Sequence, residues 1–387
     1  MMRHLLIAIA ALLVAGSARA QQADTTDRPF VRGGVYDKPF QHRLAGRAVF
    51  GGYAEVHWRH ERADGLLVDG GFEAKRFNLF ANARVSDFVR FAAELEFEEG
   101  GREVSLEFAA MDLRLHPALS LRGGIILSPL GRFNLAHDSP LTEFTDRPLV
   151  STEIIGVALS EPAIGAFGRV RTGGASRLTW ELYATNGFSD GVVTASEAGT
   201  RIPAGRGNFK DNNGSPALVG RVAWSPRLGT EFGLSAHRGQ WNTHASEGVA
   251  FDARRSLTIA VLDVEAEWRG VLLQGEAATA AIAVPDGLHG IYATRQAGGY
   301  VEVVREFARG LVRTMPQSSF AAKARFDAID LNRHVRGDAV VRFTAGLTFR
   351  PTRDSAIKFD LVRGRDRDQF NNPTERAAVL VSLTTYF

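Results

Sequence analysis

Arginine dominates the charged chemistry of this chain. Of 46 basic residues only five are lysine (Lys38, Lys75, Lys210, Lys323 and Lys358), set against 43 Asp and Glu and no cysteine. Basic side chains recur at every second position along one side of short segments: Arg76, Arg84, Arg90, Arg122, Arg169, Arg171, Arg221, Lys323, Arg325, Arg342, Arg350 and Lys358. Carboxylates occupy the same side, among them Glu94, Glu96, Asp263 and Glu265. A guanidinium offers planar donors that match two oxygens of a phosphate or carboxylate at once, so this set suits contact with small polar solutes. By parity, fourteen basic residues share that side with fifteen acidic ones, and it carries no net positive charge. The stretch 128 to 162 adds a second group: Arg132, Asn134, His137, Asp138, Glu143, Asp146 and Arg147.

Catalysis is a poor fit. His137-Asp138-Ser139 has the residue types of a hydrolytic triad, but the three are adjacent and no G-x-S-x-G elbow accompanies them. There is no G-x-x-x-x-G-K-[ST] loop, no H-E-x-x-H and no EF-hand, and the ten His residues lack ligand spacing. We therefore expect no catalytic residue, metal or cofactor. The net charge of +3 without a basic block gives no reason to expect nucleic acid as a partner.

The elements that must carry these residues alternate with a period of two. In segment 49 to 60, Ala54, Val56 and Trp58 oppose Tyr53, Glu55, His57 and Arg59; in 87 to 98, Val89, Phe91, Ala93, Leu95 and Phe97 oppose Arg90, Glu94, Glu96 and Glu98. Continued along the chain, the pattern predicts sixteen strands, with a bulge around Ala109 to Met111 where the parity slips. Odd-to-even connections are mostly long (61 to 71, 128 to 162, 186 to 216, 241 to 254, 284 to 295, 365 to 375), and even-to-odd ones mostly short, apart from 308 to 317. Most strands run nine to fourteen residues, against an ordinary average of about five or six. A tilted strand of about nine to eleven residues crosses the hydrocarbon layer. No helical span is available, because the longest apolar run is residues 5 to 15.

Two further signals agree. Residues 1–20 read as a signal peptide, with Arg3 and His4 before the apolar run and Ala18-Arg19-Ala20 after it, followed by a lead-in at 21–48. The chain ends VLVSLTTYF, placing Val379, Val381, Leu383, Thr385 and Phe387 on one face; a terminal Phe on an alternating strand looks like the address read by barrel-assembly machinery. The expectation is an all-β, 16-stranded antiparallel transmembrane β-barrel over 49–387, with long outer loops and short periplasmic turns, sited in outer-membrane lipid of a bacterium.

The ordered segments GGYAEVHW (51 to 58), RFNLFANARVSDFVRFAAELEFE (76 to 98), LHPALSLRGG (115 to 124), LSPLGRFN (127 to 134), ELYATNGF (181 to 188), GRVAWSP (220 to 226) and FRPTRDSAIKFD (349 to 360) resemble the phosphate-selective porin O and P family. The resemblance implies a barrel, usually trimeric, that passes small, often anionic (phosphate-like) solutes without chemistry. That family pairs an arginine ladder with a lysine cluster, whereas parity leaves only Lys323 and Lys358 inside. The loop 128–162 is the candidate constriction, folded into the pore as in porin-like barrels. The competing reading is an exported soluble all-β carbohydrate-binding or sugar-processing protein, a sandwich whose polar faces meet water.

Overall fold

The computed structural model describes residue 38 and residues 48–195, 199–289 and 291–387. The signal peptide and nearly all of the lead-in lie outside the described residues. Sixteen strands form one closed barrel: β1 (Ala48–Ala63), β2 (Leu66–Arg84), β3 (Val89–Glu98), β4 (Glu103–His116), β5 (Leu119–Leu127), β6 (Ser160–Gly173), β7 (Ser176–Thr185), β8 (Ala217–Arg227), β9 (Thr230–Gln240), β10 (Ser256–Trp268), β11 (Val271–Ile282), β12 (Arg295–Phe307), β13 (Ser319–Asp330), β14 (Ala339–Thr352), β15 (Ser355–Arg367) and β16 (Pro373–Tyr386). Every neighbouring pair is antiparallel, and β16 closes on β1 from Tyr53↔Tyr386 to Ala63↔Arg376. Closure leaves no sheet edge, so the strands pair their backbone groups within the sheet. A sandwich of two stacked sheets, the soluble alternative, is thereby set aside.

Alternation sorts the two faces. Glu55, His57, Arg76, Glu94, Glu96, Arg221, Asp263, Lys323, Arg325 and Lys358 are buried inside, while Leu79, Leu95, Leu182, Val222, Leu234, Leu262, Val301, Phe326, Phe343, Phe359 and Leu383 are exposed outside. At the end carrying the short turns, the outer face is girdled by stacked aromatics: Trp224 on Phe232 at 6.0 Å, and Phe307, Phe320 and Phe349 in series at 6.0 and 4.8 Å. Such a girdle marks the level where apolar strand surface meets a polar layer.

Two local expectations change. Residues 61 to 71 are not a long loop: β1 and β2 continue to a two-residue turn, Asp64-Gly65, at φ 49° and 83°. An Asp-Gly pair with positive φ at both positions is the tight hairpin turn matched to strand twist, so the hairpin extends outward. The bulge lies at Glu107 rather than at 109 to 111, because Glu94 pairs with Phe108 and Leu95 with Leu106. The extra residue turns both Glu107 and Phe108 inward.

The seam has its own fit. Gly52 and Phe387 exchange two backbone hydrogen bonds, at 3.0 and 3.2 Å, and the Phe387 ring stacks on Phe77 at 5.5 Å. A Cβ on Gly52 would stand 2.1 Å from the Asn78 carbonyl oxygen and 2.6 Å from Phe387 Cζ. Only glycine admits the C-terminal ring at this place.

Candidate functional site

Residues 128–159, between β5 and β6, fold into the barrel interior. A loop at that depth must find a partner for its own peptide groups, since each one left unmade costs about 1–3 kcal/mol. The wall supplies them by charge. Lys323 Nζ donates to the Glu143 carbonyl at 2.5 Å, Arg325 Nη1 to that of Asp146 at 3.0 Å, Arg342 Nη2 to that of Arg147 at 2.9 Å, and Arg350 Nη1 to that of Pro140 at 2.8 Å. Lys358 Nζ donates to the carbonyls of Ser139 and Phe144 at 2.8 and 3.1 Å, and to Thr142 Oγ1 at 3.0 Å. Acidic side chains take the loop's N–H groups: Asp360 from Thr145 at 2.8 Å, Asp327 from Leu149 at 2.9 Å, and Glu276 from Phe133 at 2.5 Å. Cations of β13, β14 and β15 thus hold carbonyls, and carboxylates hold amides.

The opposite flank of the loop is apolar. Leu130, Val150, Ile154, Ile155 and Leu159 form one buried cluster with Leu257, Ile259 and Val261 of β10, Ala278, Ala280 and Ile282 of β11, and Ile329 of β13. Phe188, Val192 and Ile202, from the connection between β7 and β8, complete it. This half of the interior is packed rather than lined by polar groups, which strand parity did not anticipate. The available signal was that Leu257, Ile259 and Val261 alternate with Thr258 and Ala260, so the inward face at that end of β10 is itself apolar.

Each expected constriction residue has a distinct place. Arg132 Nη2 meets Glu265 at 2.5 Å. Asn134 does not face the pore. It is fully buried and staples the loop's base, donating to the carbonyls of Ser128 and Leu159 at 2.8 and 3.1 Å and accepting from Leu159 N–H at 2.8 Å. A side-chain amide can make both kinds of bond, which suits it to close two loop ends together. His137 Nε2 lies 2.8 Å from Glu107, the bulge residue. Asp138 accepts from Lys38 and, at 2.6 Å, from Tyr386 Oη. Ser139 Oγ donates to Glu55 at 2.5 Å. His137, Asp138 and Ser139 therefore each engage a different partner and do not form a relay.

The wall residues divide by height. Arg221 joins Asp263 at 2.6 Å and Glu231 at 2.9 Å; Arg122 grips Asp112 through two bonds of 2.7 and 2.9 Å. Asn78 donates to Glu94 at 2.5 Å. Arg90, Arg169 and Arg171 keep inward parity towards the turn end, Arg171 being exposed there. Arg84 lies at the turn itself, exposed and paired with Asp87 at 2.8 Å, so it faces the mouth and not the interior.

Between the loop and β1 to β4 remains a cavity of about 540 Å³, to which Arg59, Arg76, Glu96, Glu107, Asp146 and Arg147 contribute. Asp146 meets Arg59 at 2.5 Å and Arg342 at 3.6 Å. Burial pushes its carboxyl up, but Arg59 and Arg342 outweigh this and hold it below the usual carboxylate range. Arg147 is pushed below the ordinary guanidinium value, by burial first and by the neighbouring Arg76 second, with Glu96 pulling the other way.

No family model matches the chain. An uncharacterized protein of Aquifex aeolicus is 25% identical over 361 residues, covering 85% of this chain and 78% of that protein. Similar solved structures are the outer membrane channel DcaP of Acinetobacter baumannii (12% identity, 88% of this chain and 97% of that one, TM-score 0.56) and the anion-selective porin from Comamonas acidovorans (11%, 88% and 99%, 0.55). Another is the trimer form of OmpT, an outer membrane protein of Vibrio cholerae (9%, 88% and 100%, 0.54). At these identities the likeness is one of fold: the chain folds as a closed 16-stranded antiparallel barrel of the outer-membrane porin type.

Proposed function

We propose that the protein is a bacterial outer-membrane porin, a water-filled channel for passive diffusion of small hydrophilic solutes, with no catalytic residue. The observation that carries this reading is the joint arrangement of an apolar outer face, a closed sheet and a charged loop folded across the interior. The solute path follows the cavity between that loop and β1 to β4, since the opposite flank is packed with apolar side chains. The homotrimer and the export route through a cleaved signal peptide belong to the same reading, as does recognition of Phe387 by barrel-assembly machinery.

Selectivity follows from which cations remain available. Four described lysines reach the interior and each is engaged, Lys358 on loop carbonyls, Lys323 2.7 Å from Asp360, Lys38 on Asp138 and Lys75, at the cavity, 2.8 Å from Glu73, so the lysine cluster of a phosphate-selective channel has no free counterpart among the described residues. The cavity mixes guanidinium and carboxylate groups. The channel accordingly shows weak anion preference or none. Reconstitution in a planar bilayer with a KCl gradient tests this: stepwise conductance with a reversal potential near zero or slightly on the anion side is expected. Strong cation preference overturns the selectivity, and absence of conductance from folded protein overturns the channel.

A further inference from the structure

We propose that the cavity between the loop and β1 to β4 is a binding subsite for a small zwitterion, a molecule carrying an acid group and an ammonium group a few bonds apart. The inference rests on the channel reading for its biological sense, but its chemistry stands on the cavity alone. Two guanidiniums in it have donors that no protein group among the described residues meets. Arg147 Nε and Nη2 are buried without a hydrogen-bond partner, and so is Arg76 Nε, which stays 3.6 Å from the carboxylates of Glu55 and Glu96. The backbone of Arg147 is nonetheless fixed, its carbonyl accepting from Arg342 at 2.9 Å. The side chain is therefore anchored at its root while two of its guanidinium nitrogens meet no hydrogen-bond acceptor among the described residues.

The same cavity holds unmade acceptors. Glu96 Oε1 and Glu107 Oε2 are buried and accept no hydrogen bond from the described residues. A simple anion would complete Arg147 and Arg76 but would set its charge beside Glu96 and Glu107. A simple cation would suit the two glutamates and be opposed by the two arginines. A solute with one group of each sign completes both, and charge-assisted bonds to a guanidinium and to a carboxylate are the stronger kind. At about 540 Å³ the cavity admits a molecule of amino-acid size together with water.

Calorimetric titration of β-alanine into the folded, detergent-solubilised barrel tests the subsite, with potassium propionate, propylammonium chloride and glycerol as probes of the acid, the amine and the volume. Saturable heat from β-alanine alone is expected, with affinity about tenfold lower in both Arg147→Gln and Glu96→Gln. Arg147→Lys should recover part of the loss. Equal binding of propionate overturns the zwitterion in favour of an anion subsite; equal binding of propylammonium or glycerol, or no saturable heat, overturns it as well. Heat is read whether or not the protein conducts, so a failure of the channel reading is seen separately in the bilayer. Heat-modifiable gel mobility establishes that each variant is folded before titration.

Discussion

Lys358, on β15, points into the barrel interior and donates to the carbonyls of both Ser139 and Phe144, two loop residues that its ammonium ties together. A lysine ammonium has three donors and no acceptor, and here the third goes to Thr142 Oγ1. Replacing it by methionine keeps the aliphatic stem but removes all three ammonium bonds, leaving the Ser139 and Phe144 carbonyls to share the single Thr142 hydroxyl, 3.2 and 3.4 Å away. At about 1–3 kcal/mol for a buried acceptor left unmade, the loop's docking is weakened at this turn while the sheet stays closed. For Lys358→Met we expect larger and noisier single-channel conductance and trypsin cleavage after Arg132 or Arg147, with heat-modifiable mobility retained. Unchanged conductance would remove the clamp from the account of the constriction.

Gly52 and Phe387 make a second test, at the seam. Gly52→Val places a side chain where the Asn78 carbonyl and the Phe387 ring already stand, and strain of this kind in a packed position costs about 1–3 kcal/mol. Phe387→Ala removes the stack on Phe77 but keeps the two backbone bonds. In refolding experiments into detergent, Gly52→Val should give a lower yield of the heat-modifiable species than Phe387→Ala. Under the proposal that the terminal ring is also read as an assembly address, the order should reverse in cells. Equal behaviour of the two variants in both settings would count against a separate signalling role.

The parity of the strands was legible because it is a property of backbone geometry: once Glu55 points in, so do His57 and Arg59, whatever they contact. Three features were not legible, each for a physical reason. Glu107 turns inward through an added residue, and a bulge shifts parity without a residue type of its own. Asn134 has the composition of a pore group, but its partners are the two ends of its own loop, 6 residues before it and 25 after it in sequence. Asp64-Gly65 carried a hairpin signal that was masked by the polar residues flanking it, which the structure places in the continuing strands. Arg325, Arg342 and Arg350 hold peptide carbonyls of the loop, whereas Arg122 and Arg221 hold carboxylates of the wall, a distinction that side-chain spacing along one strand does not encode.

Asp146 gives the loop a pH dependence whose sign follows from its surroundings. Its carboxyl is held below the ordinary value by Arg59 and Arg342, with Arg325 adding to them. A group with a depressed native pKa contributes stability that is fully present above its unfolded value, about pH 4 for Asp, and is lost as pH falls through the lower native value. The docked loop should therefore be insensitive to pH from neutrality down to about pH 4 as far as this group is concerned, and loosen below it. Single-channel conductance recorded between pH 7 and pH 3 checks this: wild type should rise only in the acid limb, and Asp146→Asn should start high and lose that component. A rise already complete at pH 5 in wild type and variant alike would assign the transition to another group.

Ile259 tests whether half of the interior is dry. It faces inward from β10, yet it is fully buried in the apolar cluster that includes Ile154 and Ile155 of the loop. In a uniformly water-filled lumen, trimming an inward side chain to alanine would cost little, within about 0.5 kcal/mol as for surface positions. In a packed core the same change removes transferred surface and leaves a cavity, costing about 2–5 kcal/mol. Ile259→Ala is expected to show the larger loss in urea unfolding of the barrel in lipid, whereas Ile259→Asn should cost more still because its amide finds no partner among aliphatic neighbours. The loop should detach first in both, so the conductance change of Lys358→Met should be reproduced without touching a charged residue. If Ile259→Ala were neutral in both measurements, the solute path would have to be redrawn along β10 and β11 instead of β1 to β4.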